Sequence, residues 1–129
     1  MSTPSRPLSP HLGIYRRQYT MVLSILHRAT GLALSAALLA LTAWLLALAA
    51  GPDAYRPLER AFAGLPGRVL LAGLALTFWY HFVAGIRHLV FDTGRSLERA
   101  AARRSALVVV VAVLLLTAAT LVFAWRGGA

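Results

Sequence analysis

The chain alternates between three long apolar stretches and shorter polar ones, and it opens on a polar lead. Ala29 to Ala50, Val69 to Ile86 and Ala106 to Trp125 are nearly free of charge. Each is long enough for a bilayer core, which is ~30 Å thick and needs roughly 20 helical residues. The pattern predicts an all-α membrane protein with three transmembrane helices in one bundle, at approximately 21–50, 67–92 and 104–126, forming a single domain over residues 1–129. The third stretch, ALVVVVAVLLLTAATLVFAW, offers only the Thr117 and Thr120 hydroxyls and the Trp125 indole, so it is expected to serve packing. The connection from Gly51 to Gly67 holds Pro52, Pro57 and Pro66 and is expected to be a short loop, with at most one amphipathic turn around LERAFAGL. Small residues spaced by four, Ala29/Ala33 and Ala36/Ala40, either allow another helix to approach closely or reflect the abundance of alanine.

Composition adds a location to this outline. Hydrophobic residues make up 59% of the 129 and charged ones 13%, and the net charge of +9 comes entirely from arginine, since there is no lysine. A basic chain can signal nucleic acid, but these arginines flank the apolar stretches, so the expected partner is membrane lipid and not nucleic acid. Arg6, Arg16, Arg17 and Arg28 precede or open the first span, and Arg87, Arg95, Arg99, Arg103 and Arg104 lie around the link between the second and third. Only Arg56, Arg60, Arg68 and Arg126 fall on the other side, so the positive-inside rule predicts a cytoplasmic N-terminus. The lead MSTPSRPLSPHLGIYRRQYT lacks the cleavage site and brevity of a signal peptide, and Pro4, Pro7 and Pro10 prevent an amphipathic transit helix. Residues 1–20 are therefore expected to remain as a cytoplasmic segment. The absence of cysteine rules out disulfides and thiolate metal sites.

This topology brings the unusual residues to one membrane face: SILHRATG (Ser24 to Gly31) opens the first span and HFVAGIRHLVFD (His81 to Asp92) closes the second. Ser24, His27, Arg28 and Gly31 share a helical stripe, as do His81, Gly85, His88 and Asp92. His81 is the deepest, about eleven residues or ~16 Å before Asp92. An ionisable group at that depth marks either an interhelical hydrogen bond or a cofactor site. Neutral imidazole is an axial ligand for haem iron, Gly85 would open a notch for a flat macrocycle, and Arg28, His27, Arg87 and His88 lie where propionates would point. The arginines, taken singly, equally fit snorkelling to headgroups. For a second axial ligand His88 is on the wrong side of such a ring. His27 could serve if the depths matched, but it starts its span while His81 sits farther in, so a histidine from another chain is the economical choice. Ser24 and Arg28, one turn apart, either bind a quinone carbonyl near the bilayer edge or act as helix cap and interfacial anchor.

Together RPLSPHLGIY (Arg6 to Tyr15), SILHRATG and HFVAGIRHLVFD resemble, in order and spacing, the membrane-anchor cytochrome b subunit (C subunit) of succinate dehydrogenase, along essentially the whole chain. Resemblance to fumarate reductase anchors is weaker. The resemblance implies that His81 is an axial ligand of haem b, with the other ligand from the sister membrane-anchor subunit (D). It implies that Ser24 and Arg28 line the ubiquinone reduction site, and that His27 and Arg28 lie near the haem propionates. His88 and Asp92 belong to the same motif; Asp92 either helps deliver protons to the reduced quinone or pairs with an arginine. Succinate chemistry, FAD and iron-sulfur clusters would reside in the flavoprotein and iron-sulfur subunits, and the chain would sit in the bacterial inner membrane. Two rival readings are a structural anchor without haem and a self-contained b-type cytochrome ligated by His27 and His81.

Overall fold

A computed structural model describes residues 18–127. The expected N-terminal segment, except for its last three residues, and the RPLSPHLGIY motif lie outside the described residues. The described chain is helical in four pieces: α1 (Tyr19–Ala50), α2 (Pro52–Ala63), α3 (Leu65–Asp92) and α4 (Arg99–Arg126). Three of them, α1, α3 and α4, are long and apolar enough to cross a membrane. At 32 residues, α1 extends ~48 Å and overreaches a ~30 Å hydrocarbon core, so its ends stand at the headgroup level. The third span begins at Arg99, with Glu98 at its N-cap, and not near residue 104.

The connection between the first two spans is more ordered than its prolines suggest. Pro52 occupies the first turn of α2 and Pro66 the first turn of α3, where a missing N–H costs nothing because those N–H groups have no intrahelical partner. Of the three, only Pro57 lies inside a helix, and α2 continues through it. Tyr55, Leu58 and Phe62 recur on one half-buried face while Asp53, Arg56, Glu59 and Arg60 point out, so α2 is a full amphipathic helix instead of a single turn. Asp53 in its first turn and Arg60 in its last complement the helix dipole. The Tyr55 ring meets Trp44 of α1 edge-on at 5.8 Å, and Gly67 sits directly against the Ala61 and Phe62 backbone, which ties α2 to both neighbours.

The centre of the bundle is α3, which packs on α4 and on α1, whereas α1 and α4 touch least. Ala84, Val109 and Val113 form the small core, with Trp79, Tyr80 and Val83 against it. Thr120 accepts a hydrogen bond from Trp79 Nε1 at 2.9 Å, so a hydroxyl of α4 satisfies the indole at membrane depth. No residue of α1 is buried, and Ala29, Ala33, Ala36 and Ala40 are all exposed, so no helix among the described residues occupies that small-residue face. Exposed leucines and valines on all three spans are at no disadvantage in lipid, whose tails are as apolar as they are.

Candidate functional site

The α1–α3 contact is built from groups that a membrane disfavours unless they are paired. Two consecutive residues of α3 donate to carbonyls one turn apart on α1: Tyr80 Oη to Leu23 O at 2.8 Å, and His81 Nδ1 to His27 O at 3.1 Å. The Thr30 hydroxyl donates back to the Leu26 and His27 carbonyls at 2.8 and 2.9 Å. Its proton thus spent, Thr30 Oγ1 meets His81 Nδ1, 3.2 Å away, as an acceptor. Both neighbours of Nδ1 can only accept there, so Nδ1 carries the ring proton and Nε2 keeps its lone pair. A ring N–H held by a carbonyl, with the opposite nitrogen unprotonated, is the arrangement of a metal-ligating histidine.

Two glycines let the helices approach this closely. A Cβ on Gly31 would lie 3.0 Å from His81 Cε1, and a Cβ on Gly85 would lie 3.4 Å from His27 Nε2, so each helix has a notch that receives the other's histidine. The Gly85 notch is therefore filled by the His27 imidazole and is not open to a macrocycle, contrary to the expectation from sequence. The depth argument against His27 also fails. The His27 and His81 rings stack face to face with centroids 4.2 Å apart and planes 6° from parallel. His27 is about eight residues into α1 and His81 about eleven from the end of α3, so at 1.5 Å per residue the two depths differ by only ~4 Å. Depth judged from the apolar run, which begins at Ala29, overlooks the eight helical residues that precede His27.

The same stack leaves no room for an iron between the two rings, since two axial nitrogens must face each other along one line. His27 Nε2 is buried and has no hydrogen-bond partner among the described residues. His88 lies on the other side of His27, at 4.9 Å between centroids and 48° of tilt. Among the described residues no three metal-type side chains converge.

The other expected site residues divide between positions near this cluster and away from it. Ser24 is half-buried and Arg28 exposed, one turn apart on α1 and flanking His27; Asp92 is exposed as the last residue of α3. Arg87 is neither free at the interface nor turned toward the histidines. It is 7% exposed and faces α4, with Nε donating to Ser105 Oγ at 2.9 Å, Nη2 to the Ala102 carbonyl at 3.2 Å, and Cζ 4.3 Å above the Phe91 ring. Sequence reasoning passed over Thr30, Tyr80, Gly31 as a ring seat, and Ser105. A polar residue three positions after His27 and a tyrosine beside His81 were the available signals for the first two.

Comparison with known proteins follows the same residues. The family described as succinate dehydrogenase/fumarate reductase transmembrane subunit matches residues 2–120. The succinate dehydrogenase cytochrome b556 subunit of Paracoccus denitrificans is 40% identical over 94 residues, which cover 73% of this chain and 72% of that protein. The corresponding subunit of Rickettsia felis is 42% identical over 89 residues, 69% of this chain and 68% of its own. The human mitochondrial cytochrome b560 subunit is 40% identical over 96 residues, 73% of this chain but only 57% of that protein, so the match spans little more than half of the mitochondrial relative.

Proposed function

The chain belongs to the succinate dehydrogenase/fumarate reductase transmembrane subunit family, and we propose that it serves as a membrane anchor of succinate:quinone oxidoreductase, giving one axial ligand to a haem b shared with a sister anchor subunit and two residues to a ubiquinone reduction site. The observation that carries this reading is the fixed tautomer of His81. Its Nδ1–H is held by the His27 carbonyl and Thr30, so the ligating nitrogen, Nε2, is ready without rearrangement. Arg28, exposed one residue on from His27, suits an ion pair with a propionate. When bound, the haem would supply a one-electron store.

Ser24 and Arg28 act on the quinone itself. The hydroxyl and guanidinium, one turn apart near the membrane surface, orient a quinone carbonyl and stabilise the negative charge that reduction puts on its oxygen. Reduction also consumes protons, and Asp92, exposed at the end of α3 one turn after His88, is a carboxylate on that face suited to deliver them; the His88 ring neighbours that of His27. Succinate is oxidised elsewhere, in flavoprotein and iron-sulfur partners that hold FAD and the clusters. The excess of arginines around the start of α1 and the α3–α4 link supports a cytoplasmic orientation of that face, in the bacterial inner membrane.

Two results test the assignment. In the assembled complex, Ser24→Ala and Arg28→Leu are expected to lower quinone reduction by succinate roughly tenfold, the scale of one hydrogen bond involving a charged group, while oxidation of succinate by a soluble dye is unchanged. Equal loss of both activities would remove the quinone site from this chain. Gly31→Ala puts a methyl 3.0 Å from His81 Cε1 and forces the imidazole to give by a few tenths of an ångström. The expected outcome is a retained haem whose electron paramagnetic resonance g-values are shifted; identical g-values would show that His81 is not a ligand.

A further inference from the structure

An open concavity of the described chain lies away from the histidines. Because α1 leans on α3 and hardly touches α4, an open groove of about 1430 Å³ runs between the first turns of α1 and α4. Its top is bridged by Tyr19, whose hydroxyl donates to the Arg99 carbonyl at 3.1 Å. Arg99, Arg103 and Arg104 lie around the upper end, all exposed. The lower walls are apolar, with Val22 on α1 and Leu107 and Val110 on α4.

From Arg99 to Val110 the groove descends ~16 Å at 1.5 Å per residue, about half of a ~30 Å hydrocarbon core. It is thus cationic at headgroup level and greasy over the depth of one leaflet. We infer that this groove binds an anionic phospholipid, its phosphate held by Arg103 and Arg104 and an acyl chain lying against Leu107 and Val110. Basic recesses between spanning helices are where such headgroups are recognised. The lead of this same chain is an ill-matched occupant, since residues 1–17 carry Arg6, Arg16 and Arg17 and no carboxylate. The inference uses none of the groups assigned to haem or quinone, so it stands or falls separately from that reading.

The test places the whole complex in phosphatidylcholine vesicles doped with a photoreactive phosphatidylglycerol and maps the crosslinks. Label is expected on residues 103–110 of this chain, displaced by unlabelled phosphatidylglycerol and not by added phosphatidylcholine. At limiting probe, the double variant Arg103→Gln/Arg104→Gln is expected to take up about thirtyfold less, and Arg103→Lys/Arg104→Lys to recover most of it. Equal labelling by a photoreactive phosphatidylcholine would overturn the inference, as would unchanged labelling of the glutamine variant. Crosslinks from these walls to a protein subunit in place of lipid would overturn it too, assigning the groove to a partner chain. Should the glutamine variant fail to assemble, headgroup competition on the wild-type complex decides alone.

Discussion

A complex carrying His81→Ala is expected to lose its b-type band in the reduced-minus-oxidised optical spectrum while continuing to oxidise succinate with a soluble dye. The loss is expected to be complete and not a shift, because no other histidine nitrogen among the described residues is placed to substitute. His27 Nε2 is buried against the Gly85 notch, and the His88 ring lies beyond that of His27. His81 also holds α1 to α3, so a packing control is needed. Tyr80→Phe removes the neighbouring hydrogen bond, Tyr80 Oη to Leu23 O, and leaves the imidazole in place. It is expected to loosen the α1–α3 contact by about 1 kcal/mol with the haem band intact. An unchanged spectrum in His81→Ala would reduce the residue to an interhelical hydrogen bond and the chain to an anchor without haem.

For Arg87→Ala the expected effect is on the helices and not on the haem. Two hydrogen bonds from a charged donor, to Ser105 Oγ and the Ala102 carbonyl, disappear along with the stacking on Phe91. Charged hydrogen bonds are worth roughly 1.5–3 kcal/mol each, but the variant also escapes the cost of burying a guanidinium, so a net loss of about 2 kcal/mol is expected. That corresponds to roughly a thirtyfold increase in opening of the α3–α4 contact. Faster hydrogen exchange of the Arg99–Ala106 amides would report it, with the haem band retained. Arg87→Met keeps volume without charge and is expected to cost less than Arg87→Lys, which keeps a strongly hydrated charge and lacks the planar fork. If Lys proves the milder change, charge and not geometry is what Arg87 contributes.

The three spans were legible because uncharged runs of bilayer length need no knowledge of neighbours, and the polar clusters at Ser24–Gly31 and His81–Asp92 were legible because lipid makes such residues conspicuous. Features depending on a second element were not. α2 was hidden by reading Pro52 and Pro66 as helix breakers, although both fall in first turns. The stacking of His27 on His81 was hidden by judging depth from the apolar run at Ala29, although the helix itself reaches back to Tyr19. Arg87 looked like one more interfacial arginine because its partners, Ser105 and the Ala102 carbonyl, belong to a helix whose rotation about its axis no periodicity in α3 reveals. Gly85 was recognised as a notch, but the occupant comes from α1.

The dependence of α1 on α3 carries a consequence for biosynthesis. Leu23 waits for a donor 57 residues downstream. At ~5–20 residues per second, the ribosome needs roughly 3 to 11 s to deliver Tyr80 and His81 after Leu23 has been made. For that interval the first helix has no α3 to lean on, and in the finished chain it buries no residue. Thr30 can satisfy its own hydroxyl on the preceding turn during the wait, but His27 and Arg28 have no α3 beside them. Insertion is therefore the stage most exposed to a weakened α1–α3 contact, and substitutions at Tyr80 or Gly31 would first be felt as a smaller yield of inserted chain escaping membrane proteolysis, before any change in electron transfer.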